Sequence, residues 1–151
     1  QLVDRIGVAM GLPFPAGEEL EKLALRGEGH GLLGCSMEDG DLRCHFSGAE
    51  TRALRLLAEG IRKEDLAREV YELRARTVSR MLKAGAERTG RKQALIAGGV
   101  ASSELFRQVL RERCERLCPE VETVFGLPEY SGDNAVGVAL TGMDRLLGKE
   151  G

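Results

Sequence analysis

The spacing of apolar residues along the chain predicts mainly helices, with a few short stretches whose alternation is typical of strands. The longest predicted helix covers residues 64–89, where apolar residues keep to one stripe and charged residues surround it. The stripe consists of Leu66, Val70, Leu73, Val78, Met81 and Leu82. Gly90 is a suitable stop for this helix. We expect the stripe to pack against a core.

The remaining pattern predicts both further helices and strands. Helices are expected over residues 4–10, 18–25, 49–59, 103–117 and 133–147. Strands are expected over residues 32–36 and 42–46, which would form a hairpin, and over 95–97 and 121–125. Residues 95–97 are predicted to be buried, and the glycines between residues 27 and 34 predict a loose connection. This order predicts an α/β fold in which a mixed sheet is covered by several helices.

The segment LIAGGVASSEL, residues 95–105, carries the functional interpretation. Its predicted strand ends at Gly98 and Gly99, and Ser102 or Ser103 can cap the helix that follows. A strand, paired glycines and a helix N-terminus bring backbone amides close to a ligand, and the helix dipole favours an anion there. The same glycines are also compatible with a simple tight turn between a strand and a helix.

A second helix N-terminus follows a predicted strand at Asp133, in the segment SGDNAVGVAL. Two such N-termini predict a cleft for a nucleotide or a phosphate. Asp133 has an alternative interpretation as an N-cap, which requires no ligand.

Composition and charge narrow the choice of function. The chain has 151 residues, which is about one domain's length, and 42% of them are hydrophobic. A net charge of −2 supplies no global attraction to nucleic acid. No apolar run reaches the roughly 18 residues of a membrane span, so we expect a cytoplasmic protein with neither a membrane span nor a signal peptide. Because Gln1 has no Met before it and already lies near a predicted helix, we expect a fragment of a longer protein.

Neither the cysteines nor the histidines have the spacing of a metal site. The cysteine pairs 35/44 and 114/118 lack the CxxC spacing of a zinc knuckle, so we expect reduced thiols. His30 and His45 do not form an HxxxH pair and are expected to be ordinary surface or hairpin residues.

Four segments, in order along the chain, resemble one family. They are VDRIGVAMGLPFPAG, HFSGAET, AGGVASS and GDNA. With them the chain resembles the C-terminal half of the TsaD family, also called the glycoprotease or O-sialoglycoprotein endopeptidase family, which makes threonylcarbamoyladenosine in tRNA. The resemblance implies the actin-like, sugar kinase and Hsp70 type of ATPase fold. Residues 1–151 would then be a single domain, the second lobe of a two-lobe protein.

The resemblance also implies roles for individual residues. The nucleotide- or substrate-binding residues would be Asp4, Gly17, Gly98, Gly99, Ser103 and Asp133. Their ligand would be an adenine nucleotide. Asp133 would in addition bind one divalent metal, either iron, zinc or magnesium, whose other ligands are two histidines of the first lobe.

Three positions depart from the family pattern. Ser103 replaces an asparagine, Glu50 replaces a lysine and Ala16 replaces a glycine. The histidine pair of the first lobe is also missing from this chain. One aspartate cannot hold a catalytic metal alone, so we expect the chain by itself to be inactive.

Three hypotheses about function remain open at this point. The first is a lobe of the enzyme that transfers threonylcarbamoyl from its adenylate to the tRNA adenosine beside the anticodon. The second is a non-catalytic paralogue that acts as a nucleotide-binding or protein-interaction module. The third is the glycoprotein metallopeptidase of the older family name. The implied partners are an adenylate-type small molecule, tRNA through the full-length protein, and either TsaD-complex-like proteins or a second copy of the chain.

Overall fold

A computed structural model describes residues 1–37 and 42–127, together with Met143. Within these residues five helices are formed: α1 (Leu2–Ala9), α2 (Gly17–Ala24), α3 (Ser47–Ala58), α4 (Lys63–Thr89) and α5 (Glu104–Leu117). The strands are β1 (Ser36–Met37), β2 (Cys44–His45), β3 (Gln93–Ile96) and β4 (Glu122–Phe125). A short 3₁₀ turn, Gly99–Ser102, precedes α5. The α/β class and the positions of the helices agree with the sequence pattern, but the first hairpin strand was predicted over 32–36 and only its last residue lies in β1. The helix predicted over 133–147 lies outside the described residues apart from Met143.

The strands of the described residues form two separate two-stranded sheets. β1 and β2 pair antiparallel as the predicted hairpin, with Ser36 opposite His45. β3 and β4 pair in parallel, from Gln93 opposite Glu122 to Ile96 opposite Phe125. The expected single mixed sheet is therefore not formed by this part of the chain. The hairpin strands have only two residues each, too few to extend a ladder into a larger sheet.

Helix α4 is the element against which α2, α3 and α5 pack. The stripe residues Leu66, Val70 and Leu73 are buried, which confirms that the stripe faces the core. Gly90 ends the helix in the left-handed conformation, with φ +68°, and its N–H donates to the carbonyl of Ala86 at 2.8 Å. Glycine adopts this conformation without a Cβ clash, so the predicted stop is also confirmed.

The first half of α4 is buried on more than the predicted stripe, and Glu69 shows this most clearly. Its carboxylate is fully buried and accepts hydrogen bonds from four consecutive backbone amides of the segment before β1. The donors are His30, Gly31, Leu32 and Leu33. Since a buried carboxylate is tolerated only when it is hydrogen-bonded, this arrangement fixes the glycine-rich segment against α4. The prediction of a loose connection is wrong at these four residues.

The prediction that residues 95–97 form a buried strand is also wrong. Leu95 is 74% exposed, and Val124, its partner across the pair, is 44% exposed. Ala94 and Ile96 point the other way and pack against the core. Successive side chains of a strand face opposite sides, so a pair of strands covered on one face leaves alternate apolar residues open.

Two further properties concern the chain as far as the structure describes it. None of its helices combines the length and the apolar character needed to cross a membrane. The four cysteines are free thiols, and Cys114 and Cys118 are buried. Burial is the largest cause that raises the pKa of Cys114 to about 12, and the nearby Cys118 thiol adds to it.

Candidate nucleotide-binding site

A cavity of about 510 Å³ lies where α1, α2, α4 and the turn before α5 meet. Four of the residues predicted from the sequence line it: Asp4, Gly17, Gly99 and Ser103. Gly98 lines a neighbouring cavity of about 310 Å³, and the two cavities share Arg74, Gly99 and Val100. The structure thus brings together residues that are up to 99 positions apart in sequence (Asp4 to Ser103). Asp133 lies outside the described residues, so its place relative to these cavities remains a prediction.

Asp4 connects α1 to the turn before α2. Its Oδ1 accepts a hydrogen bond from the backbone N–H of Ala16 at 2.9 Å. The side chain is partly buried and lines the larger cavity. Asp4 therefore supports the turn that leads to Gly17, in addition to any contact with a ligand.

The glycines of the site differ in what the fold requires of them. A Cβ on Gly17 would touch only Val3, at 4.0 Å, and a Cβ on Gly99 would meet nothing within 4 Å. Packing therefore does not demand glycine at these two positions. Gly98 has φ +116°, a conformation that L side chains rarely adopt, so its backbone requires glycine. The open space beside Gly17 and Gly99 is room that a ligand can use.

The N-terminus of α5 is already capped by side chains of the protein. Ser103 Oγ accepts a hydrogen bond from Phe106 N at 3.1 Å, which identifies Ser103 as the cap that the sequence left open between two serines. Glu21 Oε1 accepts from Leu105 N at 2.8 Å. The Glu21 carboxylate thus occupies the position beside the helix dipole that the sequence predicted for an external anion. An anionic group entering the cavity must find its partner elsewhere.

Tyr71 and Arg74, which the sequence reasoning did not select, complete the walls of the cavity. The hydroxyl of Tyr71 donates to the carbonyl of Gly17 at 3.1 Å. Burial raises the pKa of Tyr71 to about 12; the Glu21 carboxylate adds to the rise, while Ser103 and Arg74 act in the opposite direction. The two residues are three positions apart on α4, so they project from neighbouring points of one helix face. Many pairs along α4 share this spacing, so no specific signal in the sequence distinguishes these two residues.

The charges around the larger cavity are mostly negative. Asp4, Glu18 and Glu21 line it, and Arg74 is the cationic side chain among the lining residues described. Burial lowers the pKa of Arg74, while Tyr71 and Asp4 counteract that effect. The guanidinium still keeps its charge, because its ordinary pKa is far above neutrality.

Glu50, a negative residue at a position where the family has a lysine, does not face the cavity. Its carboxylate pairs with Arg5 Nη1 at 3.1 and 3.2 Å, which connects α3 to α1. It is absent from the lining of both cavities. The negative charge that replaces the family's lysine is therefore paired with Arg5 and lies away from both cavities.

The described residues contain no cluster of three or more His, Cys, Asp or Glu side chains that could hold a metal ion. His30 and His45 are exposed, as expected from the sequence. No metal role is therefore assigned within these parts of the chain, and the role of Asp133 as a metal ligand remains a prediction.

Comparison with known proteins connects this geometry to one family. The family model of TsaD, described as tRNA N6-adenosine threonylcarbamoyltransferase, matches residues 1–140. The chain is 33% identical over 141 residues to a "probable bifunctional tRNA threonylcarbamoyladenosine biosynthesis protein" of Methanothermobacter thermautotrophicus, and the match covers 93% of this chain and 26% of that protein.

Two further relatives carry the name tRNA N6-adenosine threonylcarbamoyltransferase. The protein of Methanopyrus kandleri is 33% identical, with 94% of this chain and 40% of the relative covered. The protein of Thermococcus gammatolerans is 32% identical, with 97% of this chain and 44% of the relative covered. The chain thus spans less than half the length of these relatives, and over most of its own length it belongs to the TsaD family of tRNA N6-adenosine threonylcarbamoyltransferases.

Proposed function

We propose that this chain is the nucleotide-binding lobe of a TsaD-like tRNA threonylcarbamoyladenosine transferase, with the second lobe of an actin-like fold formed by residues 1–151. The complete protein would transfer threonylcarbamoyl from its adenylate to the tRNA adenosine beside the anticodon. The observation that carries the proposal is the shared cavity, where Asp4, Gly17 and Ser103 meet although they come from separate parts of the chain. The family match over residues 1–140 supplies the reaction.

The cavity has the size and the chemistry to hold an adenosine. Its volume of about 510 Å³ falls within the usual range for small-molecule sites, roughly 300–1,000 Å³. The carboxylate of Asp4 can accept hydrogen bonds from ribose hydroxyls. Gly17 and Gly99 leave space in which the ligand can approach the backbone closely. The chain itself thus binds and orients the ligand.

The remaining parts of the reaction belong to the complete protein. A divalent metal would polarise the carbamoyl oxygen, and Asp133, a hard oxygen donor, would contribute one ligand. Its other ligands would come from the first lobe. The tRNA, the TsaD-complex-like protein partners or a second copy of the chain would likewise meet the complete protein. For a protein that acts on tRNA we expect a cytoplasmic location.

One observation favours a second candidate, the non-catalytic paralogue. Ser103 Oγ accepts the Phe106 amide in the α5 cap, and its single hydroxyl proton offers a ligand one donor where the NH₂ of an asparagine would offer two. Such a protein would bind an adenine nucleotide and transfer nothing. Nothing in the described residues favours the metallopeptidase.

Calorimetric titration of the complete protein with an adenine nucleotide tests the binding site. We expect Gly17→Ala to fold, because its Cβ would meet only Val3 at 4.0 Å, and to weaken binding at least about tenfold by filling ligand space. Gly85→Ala is the matched control, since Gly85 also has nothing within 4 Å and does not line the cavity. If the protein binds no nucleotide, or if Gly17→Ala binds like the wild type, the proposed site is wrong.

A genetic experiment separates the two candidates. In cells that lack the normal transferase, the complete protein should restore the threonylcarbamoyl-modified nucleoside in tRNA. Nucleotide binding without restoration would favour the paralogue over the enzyme.

A further inference from the structure

Arg74 is a half-buried cation for which the described part of the protein shows no hydrogen bond and no ion pair. Its Nη1 is buried and has no hydrogen-bond partner. The guanidinium forms no hydrogen bond and no ion pair within 4.0 Å with any residue that the structure describes. Its neighbour Arg76, by contrast, donates to the carbonyl of Leu33 at 2.9 Å. Leaving a buried charged donor without an acceptor costs free energy. A ligand that supplies an acceptor to Arg74 Nη1 would recover that cost.

The position of Arg74 shows where that ligand would lie. Arg74 lines both cavities and stands at their junction, next to Gly99. The larger cavity holds the carboxylates described above, while the smaller one is lined mostly by apolar side chains such as Phe46 and Ile96. Because Arg74 lies at this junction, a negatively charged group in either cavity is attracted to it.

Two other features bear on which group would bind an anion in the cavity and on whether Arg74 is already paired. The α5 N-terminus cannot take the anion, since the Glu21 carboxylate already accepts from Leu105 N there. The nearby Asp4 carboxylate accepts from Ala16 N and does not come within ion-pairing distance of Arg74. The charge of Arg74 thus remains available to a group that enters the cavity.

We propose that Arg74 binds the 5′-phosphate of the adenosine nucleotide, at the junction of the two cavities beside Gly98 and Gly99. The proposal rests on the proposed function, because it assumes that the adenosine occupies the larger cavity. A guanidinium presents paired N–H donors that match two phosphate oxygens, so one residue can both neutralise and orient the group. The two glycines keep the backbone free of side chains at the same place.

Calorimetry with adenosine and with AMP, at one fixed salt concentration, tests the assignment on the complete protein. Wild-type protein should bind AMP more tightly than adenosine, by roughly tenfold or more, as expected for charge-assisted hydrogen bonds. Arg74→Gln should reduce this preference, taken as the ratio of the AMP and adenosine affinities of the same protein, to about twofold or less. Arg74→Lys, which keeps the charge without the paired donors, should fall between the two.

Arg80→Gln is the matched control, because Arg80 is an exposed arginine on the same helix and lines neither cavity. It removes the same charge and should keep the full preference for AMP. Arg74→Gln is expected to fold, since it breaks no hydrogen bond with the described residues; circular dichroism checks this, and Arg74→Lys serves if it does not.

The outcomes separate the two proposals. Equal binding of adenosine and AMP by the wild type, or an unchanged AMP preference in Arg74→Gln, would overturn the role of Arg74 while the adenosine site stands. Failure of both ligands to bind would refute the proposed function and, with it, this inference.

Discussion

Gly7 of α1 and Ala16, the residue before α2, pack so closely that one of them must lack a side chain. A Cβ placed on Gly7 would lie 2.3 Å from the Cβ of Ala16, which is itself fully buried. The close approach also lets Asp4, on the same helix as Gly7, accept the hydrogen bond of the Ala16 amide. Alanine in place of the family's glycine is thus accommodated by a glycine on the facing helix.

The first prediction concerns this pair. Gly7→Ala should destabilise the protein by about 1–3 kcal/mol through overpacking, although alanine is the better helix former. Ala16→Gly should relieve the clash, so the double variant should be more stable than the sum of the two single changes predicts. Urea denaturation of the four proteins measures this coupling. Additive effects would mean that the two residues do not meet.

The second prediction concerns the buried carboxylate of Glu69. Glu69→Gln replaces an acceptor with an amide NH₂ that cannot accept from its two backbone partners, so we expect a loss of about 2–3 kcal/mol. Glu87→Gln, on an exposed position of the same helix, should change stability by less than about 0.5 kcal/mol. Hydrogen exchange should show faster exchange at the amides of Gly31 and Leu32 in the Glu69 variant. Unchanged exchange at both would contradict the contact.

The third prediction concerns the cap of α5. Ser103→Ala should cost about 1 kcal/mol, because Phe106 N loses its acceptor. Ser103→Asn should keep the stability, since asparagine caps as well as serine, and it restores the residue type of the family. Ser102→Ala serves as the control and should stay within about 0.5 kcal/mol of the wild type in thermal or urea denaturation. A larger loss of stability in Ser102→Ala than in Ser103→Ala would mean that Ser102, and not Ser103, caps α5.

The fourth prediction concerns stability at alkaline pH. Burial raises the pKa of Tyr71 in the folded protein to about 12, above the value of about 10 in an unfolded chain. The folded state therefore holds this proton more tightly, so its stabilising effect is complete below pH 10 and is lost as the pH rises toward 12. Tyr71→Phe lacks this proton, so its free energy of unfolding should fall by about 1 kcal/mol less than that of the wild type between pH 9 and pH 11. Parallel curves for the two proteins would contradict the raised pKa.

Local features of the fold could be predicted from the sequence. The long helix α4, its buried stripe and its stop at Gly90 depend on residues close together in sequence. The cap of α5 is equally local, although the sequence left it open between Ser102 and Ser103. The hairpin β1–β2 was also predicted, because its turn and its strands are adjacent in sequence. Features of this kind depend only on residues that are close together in sequence, so they can be predicted from the order of the residues.

Contacts between distant segments could not be predicted in the same way. Whether Leu95 is covered depends on what packs on that face of the sheet, and one face of the β3–β4 pair is left open by the described residues. Glu69 accepts hydrogen bonds from a loop almost 40 positions earlier in the chain, and no periodic pattern in the sequence predicts this contact.

The sequence by itself determined the helices and the family and indicated Asp4, Gly17, Gly99 and Ser103 as candidates, because motifs and periodicity are local properties of the chain. Only the tertiary structure decided that these four line one cavity, that Glu21 occupies the α5 N-terminus, and that Arg74 has no hydrogen-bond partner among the described residues around the two cavities. The physical reason is that the environment of a charge is set by whichever segments pack around it, and those segments are far apart in sequence.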